Sequence, residues 1–111
     1  MQNYHEPPEE LTPETRNFMR ALVTLKEEIE AIDWYQQRLT AATDQQLKKI
    51  LEHNRNEEME HACMALEWLR QNMQGWDEKM KTYLFAKTAG QENETAAPTE
   101  QGDLGLSKMK K

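Results

Sequence analysis

The chain has 111 residues, with 20 acidic against 14 basic side chains and a formal net charge of −6. This length allows one domain at most, and the acidic balance argues against a nucleic-acid partner, which would need a basic face. One cysteine, Cys63, excludes an intrachain disulfide, and no apolar run is long enough to cross a membrane. Because residues 1–11 have no apolar signal-peptide core, we expect a cytoplasmic protein.

The first predicted element is a long helix that follows an irregular lead-in over residues 1–11. Thr12-Pro13-Glu14 has the features of a helix start: a capping residue, a proline at the first helical position and an acid in the first turn. Apolar side chains then recur at alternating spacings of four and three, which predicts a helix from Pro13 to Leu39 with one apolar face.

A second helix is predicted after the break at residues 40–44. Thr43 and Gln46 fit a capping box, and the helix should run to about Met73, with Gly75 as its stop. A shorter third helix is expected over Trp76–Lys87, so that residues 12–89 form the helical domain. Residues 90–101 are polar and predict a disordered linker, and residues 102–111 restore apolar side chains at the C-terminus.

These elements predict an all-α fold built on an antiparallel two-helix hairpin, with a short C-terminal helix. A hairpin of two long helices cannot bury both faces of its apolar seam by itself. We therefore expect two copies to associate as a homodimer, forming a four-helix bundle.

The most informative motif is Glu58-x-x-His61, which lies in the middle of the apolar stripe of the second helix. The stripe comprises Leu47, Leu51, Asn54, Glu58, His61, Ala65, Trp68 and Asn72. An ionised glutamate in such a seam costs several kcal/mol unless it is compensated. A metal ion would compensate it, because the Glu-x-x-His spacing places two ligands on one helix face.

The first helix offers a third ligand at the matching level. Counting back from the turn near residue 43 by the distance that separates it from Glu58 leads to Glu28, which flanks the apolar stripe. Two chains would pool four carboxylates and two imidazoles, a set that suits iron or manganese better than structural zinc. This predicts a di-iron centre, with two irons per dimer, and ferroxidase activity.

Three further acids, Glu27, Glu30 and Glu57, lie next to the predicted ligands. Glu27 and Glu30 are three residues apart on a helix, so they repel each other unless a cation is present. They could form a secondary metal-entrance site, or they could be a solvated acidic face.

Two aromatic residues lie near the predicted centre. Tyr35 follows Glu28 by two helical turns and could hydrogen-bond a metal carboxylate during catalysis, although an ordinary interface role is the alternative. Trp34 is predicted to pack at a subunit interface.

Other functions remain open on residue chemistry alone. A di-iron bundle could reduce peroxide, the same ligands could hold metal without redox chemistry, or the acidic face could be solvated on a helical adaptor. The sequence has no pairs of cysteines that would deliver electrons as a rubredoxin does.

Two stretches closely resemble the encapsulated ferritins: residues 25–38, LKEEIEAIDWYQQR, and residues 53–70, HNRNEEMEHACMALEWLR. With TYLF at 82–85, the resemblance covers most of residues 15–87. It implies a two-helix subunit that forms its di-iron site across a dimer, and dimers that assemble into a ring, typically a decamer. It also implies that Glu28, Glu58 and His61 of both chains bind iron. Glu27, Glu30 and Glu57 match the family's metal-entrance region, and Trp34 and Tyr35 match its aromatic pair.

The C-terminal segment, GDLGLSK at 102–108, resembles the peptides that load cargo into encapsulin shells. A flexible tether followed by a short apolar motif could dock in a groove on a shell interior. The resemblance thus implies that residues 102–111 bind an encapsulin shell protein and that the chain works inside an encapsulin nanocompartment, where mineral is stored. A solvated basic tail is the alternative.

Overall fold

The computed structural model describes residues 4–85, which form a short 3-10 helix, Pro8–Glu10, and three α-helices. These are α1 (Pro13–Ala41), α2 (Gln45–Asn72) and α3 (Trp76–Tyr83). No strand occurs within residues 4–85, so the all-helical prediction is confirmed for this part of the chain. No helix of this part has the length and apolar character needed to span a membrane. The predicted linker (90–101) and C-terminal peptide (102–111) lie outside the described residues.

The start of α1 follows the predicted chemistry. The Thr12 side chain accepts a hydrogen bond from the Thr15 backbone N–H at 3.0 Å, and Pro13 occupies the first turn, where its missing N–H costs nothing. At the other end, the Ala42 N–H donates to the Arg38 carbonyl at 2.9 Å. The helix therefore ends two residues beyond the predicted Leu39.

The start of α2 corrects the predicted capping box. Asp44, not Thr43, supplies the cap: its Oδ2 accepts the Leu47 backbone N–H at 2.9 Å. Lys48 then reaches back across the turn and donates from Nζ to the Leu39 carbonyl at 2.9 Å. This bond satisfies a carbonyl at the C-terminal end of α1 that has no partner within the helix, and it joins the two helices at the turn.

The chain divides into two compact units at the Leu69–Arg70 boundary. In the first unit, α1 and α2 pack with few fully enclosed side chains. Among the described residues only Leu51, Ala62 and Leu69 are buried apolar residues. The rings of Phe18 and Trp68 meet edge to face, with centroids 6.2 Å apart.

The second unit contains α3. Gly75 precedes it with a φ of +108°, a conformation that residues with a Cβ rarely adopt. Asp77 accepts from Arg70 at 2.7 Å and pairs with Lys81 at 3.0 Å, and these contacts lower its pKa. The helix ends at Tyr83, so the predicted end at Lys87 is wrong; residues 86 and 87 lie outside the described part.

Candidate metal centre

The hairpin brings the three predicted ligands together. Glu28 projects from the middle of α1, while Glu58 and His61 project from adjacent turns of α2. His61 Nδ1 lies 3.5 Å from Glu28 Oε1 and 3.5 Å from Glu58 Oε1. One ligand atom of each residue lies within 4.8 Å of those of the other two, and no other such group of three occurs within residues 4–85. A residue from α1 and a pair from α2 thus meet as the hairpin count predicted.

The two carboxylates are largely enclosed, whereas the imidazole is open. The side chains of Glu28 and Glu58 are 20% and 24% exposed, and that of His61 is 45% exposed. Glu28 Oε1 is buried and accepts no well-formed hydrogen bond, because its contact with His61 Nδ1 is long, at 3.5 Å. A buried acceptor without a well-placed donor is unfavourable, so this oxygen has an unfilled requirement for a cation or a donor.

The electrostatics of the cluster reflect two carboxylates in close contact. Hydrogen bonding to Glu58, burial and repulsion from Glu58 raise the pKa of Glu28, although His61 lowers it. Burial lowers the pKa of His61, but the charges and hydrogen bonds of Glu28 and Glu58 outweigh this and leave that pKa raised. The raised pKa values mean that the three side chains together favour proton uptake, and a bound divalent cation would take the place of those protons.

The donor set fits a hard or borderline divalent ion. It offers two carboxylates and one imidazole from the described residues, with no thiolate among them. Iron and manganese accept such mixed oxygen and nitrogen ligands, whereas structural zinc sites usually use cysteines. One chain offers three candidate ligands, so a metal ion bound there would have further coordination positions to be filled from outside the chain.

The other predicted residues surround this group without joining it. Glu27 and Glu30 lie exposed on α1 beside Glu28. Glu57 is also exposed, and it pairs with His53 at 3.5 Å. The metal-entrance role of these acids stays a prediction.

The aromatic pair lies further along α1. Tyr35 is partly buried, and the Arg38 guanidinium lies over its ring, 5.0 Å from the centroid. Trp34 is among the exposed large side chains, which is compatible with the predicted interface role.

The sequence pattern missed one feature of the face around the centre. It placed Leu51 on the same stripe as His61, but Leu51 is buried in the hairpin while Ile50 is 58% exposed. Ile50 precedes His61 by eleven residues, about three full turns, so the two share a face. Leu47, Met64 and Trp68 are also exposed along this part of α2, so the centre lies in an uncovered apolar strip. The spacing of eleven residues between Ile50 and His61 is the sequence signal that would have predicted Ile50 on the face of His61.

Comparisons with known proteins show which family this chain belongs to. The family described as EncFtn-like matches residues 3–87. The "Ferritin-like protein" of Thermotoga maritima is 56% identical over 110 residues, which cover 96% of each chain. The "Encapsulated ferritin-like protein" of Rhodospirillum rubrum is 52% identical over 102 residues, which cover 89% of this chain and 73% of that protein. A crystal structure of a Nitrosomonas europaea protein matches with a TM-score of 0.74 and 49% identity, covering 78% of this chain and 96% of that one.

Proposed function

This chain belongs to the EncFtn-like family of encapsulated ferritin-like proteins, and from that membership we propose that it is a ferroxidase. In this proposal the chain oxidises Fe(II) to Fe(III) at a di-iron centre that two copies share. The observation that carries the proposal is the cluster of Glu28, Glu58 and His61, drawn from both helices of one hairpin. It provides half of the ligand set that ferritin-like di-iron proteins use.

Two features of the hairpin support completion of the site by a second copy. The three ligands of one chain cannot surround two ions, and His61 opens to the surface. The strip around the centre carries exposed apolar side chains that water would otherwise contact. A second copy on this face would cover the strip and bring the total to four carboxylates and two imidazoles.

In the proposed centre, each side chain has a task set by its chemistry. Glu28 and Glu58 bind the ions and neutralise their charge, and their oxygen atoms favour the harder Fe(III) over Fe(II). His61 contributes a neutral nitrogen ligand on the open side. The irons, when bound, supply the electrons that the oxidant takes up. Tyr35 would orient a carboxylate through its hydroxyl, Trp34 would pack at the interface, and Glu27, Glu30 and Glu57 would draw ferrous ions toward the centre.

We propose a ring, such as a decamer, as the assembled form, and the interior of an encapsulin nanocompartment in the cytoplasm as its location. The family match and the name of the Rhodospirillum rubrum relative support this placement. Residues 102–111, which lie outside the described part, would dock to the shell, and residues 90–101 would serve as the linker. The oxidised iron would be stored as mineral within the shell.

The function is tested by adding Fe(II) anaerobically to the purified protein, admitting air and following both Fe(III) absorbance and oxygen consumption. Glu58→Gln and His61→Ala should each slow oxidation by roughly tenfold or more, because each removes a ligand on both sides of the shared centre. Glu52→Gln, an exposed acid of α2 outside the cluster, should leave the rate unchanged.

Two outcomes would contradict the ferroxidase proposal. Oxidation that proceeds only with added peroxide would indicate a peroxidase-like centre. Tight Fe(II) binding with no faster Fe(III) formation than in buffer would indicate a metal-binding protein without redox activity.

A further inference from the structure

Glu58 lies between two basic neighbours on its own helix. Arg55 precedes it by three residues and His61 follows it by three, so each is adjacent to Glu58 on the surface of α2. The side chains of Arg55 and Glu58 are both partly buried. An arginine in this position can form charge-assisted hydrogen bonds with the carboxylate, and these are stronger than bonds between neutral groups.

The Arg55 guanidinium is instead bound to neutral amides. Its Nη1 donates to Gln36 Oε1 on α1 at 2.8 Å, and its Nη2 and Nε donate to Asn56 Oδ1 at 3.0 and 3.3 Å. It makes no ion pair with any residue in the described range 4–85. Glu58 has its Oε1 atom 3.5 Å from His61 Nδ1, within the metal cluster.

The Gln36 amide has the orientation that Arg55 requires. A guanidinium has donors only, so the amide must present its oxygen to it. The amide nitrogen of Gln36 donates to Thr40 Oγ1 at 3.1 Å, one turn further along α1. Both ends of the amide are therefore satisfied in one orientation.

An ion pair between Arg55 and Glu58 would compete with a metal ion. A carboxylate that accepts N–H bonds from a guanidinium offers fewer lone pairs to the ion, and the adjacent positive charge repels a second cation. Metal would then bind only the fraction of molecules in which the pair is open. Glu58 can serve as a metal ligand only while Arg55 is held elsewhere.

We propose that Gln36 and Asn56 are positioning residues for the metal centre, which keep the Arg55 guanidinium away from Glu58. Gln36 is the more important of the two, because its bond to Arg55 is the shorter one. It also lies eight residues nearer the turn than Glu28, so it draws the guanidinium away from the ligands. The role assigned to Gln36 rests on the proposed metal centre, but it does not depend on iron oxidation.

A purely structural role for Gln36 is the alternative. Its bond to Arg55 joins α1 to α2, and loss of this bond could weaken metal binding by loosening the hairpin. The two roles differ in the expected effect of removing Arg55. Removal breaks the same bond between the helices, but it also removes the group that would compete for Glu58.

Titration of the full-length protein with Mn(II), followed by isothermal calorimetry, separates the two roles. Gln36→Leu should weaken Mn(II) binding by roughly three- to tenfold, because Arg55 becomes free to pair with Glu58. Arg55→Met should bind Mn(II) at least as tightly as the wild type, and adding it to Gln36→Leu should restore the affinity. Gln37→Leu, a change at the exposed neighbour of Gln36, is the matched control and should leave the affinity unchanged.

A crystal structure of metal-free Gln36→Leu provides a second readout. It should show the Arg55 guanidinium within about 4 Å of a Glu58 oxygen, the distance of an ion pair.

Three outcomes would overturn the positioning role. They are equal Mn(II) affinity of Gln36→Leu and the wild type, a loss in Arg55→Met as large as that in Gln36→Leu, and a double variant that binds no better than Gln36→Leu. A wild type that does not bind Mn(II) would overturn the metal centre itself, and the positioning role with it. Because no oxidation is measured, a protein without ferroxidase activity can still support the positioning role, and an active one can still refute it.

Discussion

Three features of Glu28 are unfavourable unless a cation balances them. Its side chain is mostly enclosed, Glu58 lies beside it, and its buried Oε1 atom has only the long, 3.5 Å contact with His61 Nδ1. Its raised pKa expresses the same cost, since burial and a neighbouring carboxylate both disfavour the ionised form. An unfavourable free energy of this kind is expected where side chains are arranged to bind an ion.

We therefore predict that Glu28→Gln raises the Tm of the metal-free protein. The amide removes one of two adjacent negative charges and can donate to Glu58, although it gives up the attraction to His61. A gain of ~1 kcal/mol would appear as roughly 4–8 °C in a small domain. Differential scanning calorimetry in buffer that contains a chelator measures the difference in Tm between variant and wild type, with Glu52→Gln, an exposed acid, as the control.

When metal is present, the wild type should have the higher Tm and Glu28→Gln the lower one. Mn(II), which is redox-inert here, should raise the Tm of the wild type through binding to the folded state, and it should raise that of Glu28→Gln much less. A metal-free Tm for Glu28→Gln below that of the wild type would contradict the idea that Glu28 is held at a cost to stability.

At the scale of the elements, the turn between α1 and α2 sets the level at which the ligands face each other. Asp44 caps α2 through the Leu47 N–H, and Lys48 binds the last turn of α1 through the Leu39 carbonyl. A shift of one residue at this turn would rotate α2 by about 100° relative to α1. The cap therefore contributes both to stability and to the alignment of Glu28 with Glu58 and His61.

Asp44→Ala should destabilise the protein by about 1 kcal/mol, the usual effect of removing a helix N-cap. Thr43→Ala is the matched neighbour, and it should change stability little because the cap bond comes from Asp44. Urea unfolding followed by circular dichroism measures both. A larger loss for Thr43→Ala than for Asp44→Ala would show that the capping box predicted from sequence is the one that matters.

Much of this architecture was predictable because its signals are local. Thr12 and Pro13 define the start of α1 by chemistry within one turn, and the Glu-x-x-His spacing places two candidate ligands on one face. The position of Glu28 opposite Glu58 followed from the position of the turn. In an antiparallel hairpin, residues at equal sequence distances before and after the turn lie side by side, because both helices have the same rise per residue.

Other details were not predictable because neighbouring residues compete for the same role. Thr43 and Asp44 are both good caps, and only the path of the turn decides between them. Ile50 and Leu51 are both apolar and differ by about 100° around α2, so the sequence does not say which enters the hairpin. The end of α3 at Tyr83 likewise has no glycine or proline to mark it, since the next glycine is Gly90.

At the scale of the whole molecule, most of the large apolar side chains in the described part lie outside its small core. Leu51, Ala62 and Leu69 are its buried apolar residues, while large side chains such as Ile29, Ile50 and Met64 remain exposed. We therefore expect a hairpin with so little enclosed surface to gain most of its stability by association with further copies. The proposed function needs the same association, because each copy holds only half of the ligands.

The proposed docking of residues 102–111 to a shell should be independent of the association of copies that the metal centre needs. Deleting them should leave the rate of Fe(II) oxidation unchanged, because the ligands lie on α1 and α2. The deletion should abolish copurification with a coexpressed encapsulin shell, measured by gel electrophoresis of purified shells. Packaging of the shortened chain at the level of the full chain would show that another surface docks to the shell.

The central claim is that two copies pool Glu28, Glu58 and His61 around a shared pair of irons. An anomalous-scattering map at the iron edge, from crystals grown with Fe(II), tests it most directly. The claim predicts two peaks per pair of chains, each contacted by these residues from both copies. Peaks remote from residues 28, 58 and 61, or an ion held entirely within one chain, would contradict it.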